Sequence, residues 1–149
     1  MNDEFLELNS FTKKFTDKKI EDVILNRDVY YLVNPELRGI KNIVSENEFS
    51  MGIPLGKKGK QFEPSAFLLE LLSGMSDNKL FVNQKAEWLF LCERDVFPES
   101  IIKDNARGKL FLVQNERDEN LGLGRKVKKD NKLLIQNVFD RGDFLRRER

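Results

Sequence analysis

Three short stretches in the second half of the chain, residues 109–113, 121–127 and 133–139, most constrain what it can fold into. Each is rich in aliphatic, β-branched or aromatic residues and ends at a polar turn, the longest being Asn115-Glu116-Arg117-Asp118-Glu119-Asn120. That pattern predicts strands. A further strand is expected at residues 79–82 and a helix at 84–92 that buries Trp88, Leu89 and Leu91. Val96, Phe97, Ile101 and Ile102 read as another turn. This order fits a small mixed β-barrel with a helix near its start. The aromatic residues, Trp88 and Phe90 among them, are expected in the core rather than as exposed platforms.

The first half reads differently. Phe5, Leu8, Phe11 and Phe15 fall close to one face of a helix, and Ile20, Val23 and Ile24 suggest a second short helix over 18–25. Residues 28–33 are β-branched and aromatic and stop at Asn34-Pro35, so they read as a strand. A helix is expected over 37–44, and Phe49, Met51 and Ile53 alternate as in a half-buried strand. A basic hairpin loop over 55–60 follows, closed by Phe62. Lys57 there is followed by Lys58 rather than Ser or Thr, so the loop is no phosphate-binding P-loop. Pro64 is expected to start an apolar helix with Phe67, Leu68, Leu71 and Leu72, ended by Ser73-Gly74.

The stretch Met75-Ser76-Asp77-Asn78 is the best boundary. Residues 1–77 carry ten Lys or Arg and thirteen Asp or Glu, whereas 78–149 carry sixteen and twelve. The two halves are electrically different, which predicts two modules, 1–77 and 78–149, the second being the one to meet an anion. The expected class is α+β: a small α/β domain, then a mixed β-barrel.

Composition narrows the chemistry. The chain has no His and a single Cys, Cys92, so Ser-His-Asp triads, His general bases, the usual zinc sites and an internal disulfide are excluded. Cys92 reads as a buried core thiol. No metal or cofactor is expected. No apolar run approaches the roughly 20 residues that span a bilayer, and the N-terminus is acidic where a signal peptide is basic, so a cytoplasmic protein is expected, by default a monomer.

Positive charge is concentrated at the end. Residues 121–149 hold nine Lys or Arg against four Asp or Glu, while the whole chain has a net charge of +1. Such a surface suits phosphate backbones. The candidate contacts are Arg125, Lys126, Lys128, Lys129, Arg141, Arg146 and Arg147, with Gly122 and Gly124 letting a backbone come close. Competing readings stand beside these. Lys residues guard strand edges against aggregation, Arg146 and Arg147 can pair with Asp143 or Glu148, and the glycines can serve turns or bulges. Alternation sends Arg125 and Lys126 to opposite faces; Val127 is expected inward and Lys126 and Lys128 outward.

The run Lys79-Leu80-Phe81-Val82, then Ala86-Glu87 opening a helix, then Gly108-Lys109-Leu110-Phe111-Leu112-Val113, Leu121-Gly122-Leu123-Gly124 and Gly142-Asp143-Phe144-Leu145-Arg146-Arg147-Glu148 resembles a PUA domain. Phe49-Ser50-Met51-Gly52, Gly56-Lys57 and Lys60-Gln61-Phe62 are similar, less specifically, to the end of a pre-PUA domain. More narrowly, the chain resembles the archaeal form of the ribosome biogenesis factor family of nuclear import protein seven. That resemblance implies a pre-PUA domain followed by a PUA domain, and a non-enzymatic factor in ribosomal RNA processing or large-subunit assembly. The partners it implies are RNA, above all ribosomal RNA, and pre-ribosomal or RNA-processing proteins met through the N-terminal domain. Two alternatives remain: a protein-interaction scaffold whose barrel binds RNA weakly or not at all, and an RNA-modifying enzyme built from Asp, Glu, Lys, Tyr or Cys92.

Overall fold

The computed structural model describes residues 4–33 and 52–142 and divides the chain into two compact units, Met1–Leu71 and Leu72–Arg149. The first unit begins with helix α1 (Leu6–Thr12), which buries Leu8 and Phe11. Strands β1 (Val23–Asn26), β2 (Val29–Leu32), β3 (Ile53–Lys57) and β4 (Glu63–Pro64) form an antiparallel sheet in that order. Phe11 packs against Phe15 and Phe62, with ring centroids 5.3 and 4.9 Å apart, and Phe62 against Tyr30 at 5.9 Å. Helix α2 (Ala66–Ser73) follows, and the chain passes from the first unit to the second within it.

Several expectations need correction here. The helix expected over 18–25 is absent, and Val23–Asn26 is a strand. Arg27 and Asp28 both take left-handed backbone conformations (φ 50° and 67°), the turn geometry that brings two strands into a tight antiparallel hairpin. Pairing with β2 therefore outranks the helical spacing of Ile20, Val23 and Ile24. Strand β3 runs through the expected loop as far as Lys57. Pro64 lies in β4, and α2 starts after Ser65, whose hydroxyl accepts from the Leu68 N–H at 3.1 Å and donates to the Pro54 carbonyl at 2.7 Å. The helix expected over 37–44, and Phe49 and Met51, lie outside the described residues.

The second unit holds β5 (Lys79–Val82), helix α3 (Gln84–Leu91), a short 3-10 turn (Pro98–Ser100), β6 (Ile101–Asp104), β7 (Leu110–Gln114), β8 (Asn120–Lys129) and β9 (Lys132–Asp140). The sheet order is β6-β5-β7-β8-β9, with β5 and β7 parallel and all other neighbours antiparallel. Val96 bridges to Ile135 on the far edge of β9, with both N–H···O bonds at 2.9 Å. Helix α3 starts at Asn83, whose side-chain oxygen accepts from the Ala86 N–H at 2.9 Å, an N-cap that satisfies an otherwise orphaned donor. The core is Leu80, Val82, Ala86, Phe90, Val96, Phe111, Val113, Leu121 and Ile135.

The α3 face differs from expectation. Ala86 and Phe90 point inward, while Trp88 is 68% exposed and Cys92 is exposed. Two inward positions four residues apart define the helix face, and Trp88, midway between them, turns away from it. Residues 96–102 are not one further turn of helix: Val96 is a bridge residue, Pro98–Ser100 a 3-10 turn, and Ile101 and Ile102 belong to β6.

Candidate nucleic-acid interface

The basic stretch forms the β8–β9 hairpin, the longest pair of strands in the second unit. β7 pairs with β8 only as far as Arg125, whereas β8 pairs with β9 out to Lys129↔Lys132. Residues 126–134 therefore extend past β7 as a two-stranded ribbon. Its tip is the two-residue turn Asp130-Asn131, both with positive φ (54° and 64°), a type I′ arrangement matched to the twist of the flanking strands.

The base of the hairpin is tied by an ion pair and side-chain hydrogen bonds. Lys79, buried on β5, makes an ion pair with Asp118 at 3.0 Å. Burial alone would raise the Asp118 carboxyl. Hydrogen bonds from Gln114 and Lys79, with the charges of Lys79 and Lys103, outweigh it and hold the group below the ordinary carboxylate range. Gln114, fully buried, also donates to the Ser73 hydroxyl at 2.8 Å, and Asn120 donates to the Gln114 side-chain oxygen at 2.7 Å. The Asn115 side chain accepts from the backbone N–H groups of Arg117 and Glu119, each at 2.9 Å. The polar turn foreseen between β7 and β8 is thus a hydrogen-bonded network that fixes where β8 begins.

The candidate residues divide into groups. Gly122 and Gly124 are buried in β8. Gly122 has φ +146°, and a Cβ there would collide with the Phe139 carbonyl; a Cβ on Gly124 would lie 2.8 Å from Val113 and 3.0 Å from both Ile135 and Phe111. What these glycines admit is neighbouring protein, at a strand register that shifts between Leu123 and Gly124. The expectation that they give a ligand close backbone access is corrected accordingly: both positions are filled from within the fold.

Arg125, Lys126, Lys128 and Lys129 are exposed along β8. Their facing is the reverse of the expected one. Gly124 faces the core residues Phe111, Val113 and Ile135, so alternation puts Lys126, opposite Ile135, and Lys128 on the core side beyond the end of the core. Lys126 there pairs with Asp104 of β6 at 2.8 Å. Arg125, Val127 and Lys129 lie on the other face, with Gln136, Leu134 and Lys132 directly opposite them on β9. Arg141 sits at the end of β9 and donates to the Asn120 carbonyl at 3.4 Å. Arg146 and Arg147 lie outside the described residues. Lys132, cross-strand from Lys129, joins the basic face although it was not singled out; its place directly after the turn-forming Asp130-Asn131 pair was the available signal.

Among the described residues no cluster of three acidic, His or Cys side chains is arranged to hold a metal ion, and no helix is long and apolar enough to cross a membrane.

The mixed sheet closed by the Val96 bridge and capped by α3 is a PUA fold, in a protein of the α+β class. Residues 78–149 match the UPF0113 PUA domain family. Two relatives, both called UPF0113 protein, are similar to the chain: one from Archaeoglobus fulgidus is 31% identical over 113 residues, covering 69% of this chain and 65% of the relative, and one from Aeropyrum pernix is 29% identical over 125 residues, covering 81% and 70%. The chain thus spans 65% of the first relative's length. A conserved PUA domain protein from Thermoplasma acidophilum has a similar structure, with a TM-score of 0.51 at 16% identity over 85% of this chain and 79% of that one. A PUA domain suggests an RNA-binding role.

Proposed function

We propose that this protein is a non-enzymatic RNA-binding factor of ribosomal RNA processing or large-subunit assembly, of the ribosome biogenesis family named above, working in the cytoplasm. In this reading residues 78–149 bind RNA and residues 1–77 meet pre-ribosomal or RNA-processing proteins. One observation carries it: Lys128, Lys129 and Lys132 are exposed on a ribbon that extends past β7, with Arg125 exposed at the ribbon's base opposite Leu110. Backbone contact by Lys and Arg needs no catalytic constellation, and phosphate neutralisation releases counterions. A chain without His is consistent with binding rather than general-base chemistry.

The test is a salt titration of binding to ribosomal RNA fragments, comparing the intact chain with Lys128→Glu/Lys129→Glu. Affinity should fall steeply with salt, and the variant should lose about 0.7 to 0.9 of the log–log slope for each phosphate contact removed. Co-sedimentation of the protein with large-subunit precursors tests the assembly role. No binding at low salt, or identical slopes, overturns the RNA reading. Retention of RNA by the variant with loss of a co-purifying protein would favour the scaffold.

A further inference from the structure

Beside its charge, the hairpin carries an apolar row. Val96 is in the core and bridges to Ile135. Phe97 follows in extended conformation (φ −91°, ψ 151°), so strand alternation turns its ring to the opposite face, where it is 59% exposed. Continuing the bridge register by one residue sets Phe97 next to Leu134, which pairs with Val127 on β8. Phe97, Leu134 and Val127 therefore form a row across three adjacent chain segments. On the same face Arg125 and Gln136 flank it on one side, and Lys129 and Lys132 on the other, all four exposed.

The strand residues of this face supply three cations and no acid; the acids nearest in sequence are Asp95, whose carboxylate accepts from the Asn137 N–H at 2.8 Å, Glu99 in the 3-10 turn and Asp130 in the hairpin turn. An aromatic ring held on a paired segment among cations suits a polyanion that also offers flat apolar surfaces. Unpaired RNA has that chemistry: its phosphates meet Lys and Arg, and its bases stack on aromatic side chains. A duplex keeps its base faces inside the stack, and an acidic protein segment would satisfy the cations without requiring a flat ring.

We infer that Phe97 is a base-stacking residue, taking one unpaired base of a single-stranded RNA segment whose neighbouring phosphates are held by Arg125, Lys129 and Lys132. This rests on the RNA-binding reading above and narrows it to single strands. The experiment compares the full chain with Phe97→Ala, Phe97→Leu and Phe97→Tyr, using an unstructured RNA oligonucleotide and the same sequence annealed as a duplex. Phe97→Ala and Phe97→Leu should each weaken single-strand binding by about 5- to 100-fold, with unchanged salt slope and unchanged duplex binding, and Phe97→Tyr should restore it. Phe97→Leu keeps an apolar side chain without the ring, so it decides the matter should Phe97→Ala fold poorly. Wild-type-like binding by Phe97→Leu, or an equal loss on both probes, overturns the stacking role alone. If the unaltered chain binds neither probe at low salt, the RNA reading fails and the stacking role with it.

Discussion

Single residues do most where a charge or a missing Cβ meets a crowded neighbour. The Asp118 carboxyl lies below its ordinary value because the Gln114 and Lys79 hydrogen bonds and the Lys79 and Lys103 charges outweigh burial. A lowered folded value means that the folded state favours the ionised form. Its contribution is then fully present above the reference value of 3.8 and is lost as the pH falls through the lower folded value. Asp118→Asn should therefore shallow the acid limb of thermal stability as the pH falls below 3.8, relative to the unaltered chain, read from melting temperatures at successively lower pH. Trp88 and Cys92 show the opposite lesson. An aromatic and a thiol are residue types found most often inside, yet Trp88 on α3 and Cys92 at its C-cap are both exposed, away from the inward Ala86 and Phe90. Composition alone does not reveal which side of a helix meets the sheet.

At the scale of the element, the β8–β9 hairpin shows what a two-residue turn controls. Asp130 and Asn131 hold φ values of 54° and 64°, which Asn and Asp tolerate and branched side chains resist. Asn131→Val should cost about 1 to 2 kcal/mol, measured by denaturant unfolding, and hydrogen exchange should locate the loss first in residues 126–135. The register set by this turn is also what sorts the cations. It pairs Lys129 with Lys132 on one face and sets Lys126 opposite Ile135 on the other. A slip of one residue would exchange those faces. The strand existence of 121–127 and 133–139 was legible from the apolar and β-branched runs. Their facing was not, because the inward position of β8 at this level is taken by Gly124, which has no side chain to signal it.

At the scale of the whole molecule, two cores separate two sets of consequences. Phe90 is fully buried among the core residues of the second unit. Phe90→Ala should destabilise that unit by about 3 to 5 kcal/mol, with exchange protection falling through β5 to β9 while β1 to β4 keep theirs; a uniform fall would show one cooperative whole. The charge balance of residues 1–77 against 78–149 supports assigning them separate work, and that division remains our proposal. The sequence by itself determined the α+β class, the barrel strands over 79–82, 109–113, 121–127 and 133–139, the helix expected over 84–92 and the concentration of cations near the end. These are local matters of propensity, periodicity and count. Only the tertiary structure decided that Val23–Asn26 is a strand, that Gly122 and Gly124 are filled by protein, that Lys126 is paired with Asp104, and that Phe97 stands exposed beside Leu134. Each of those depends on a strand partner or packed neighbour distant in sequence, and side-chain facing follows from pairing and register, which composition does not encode.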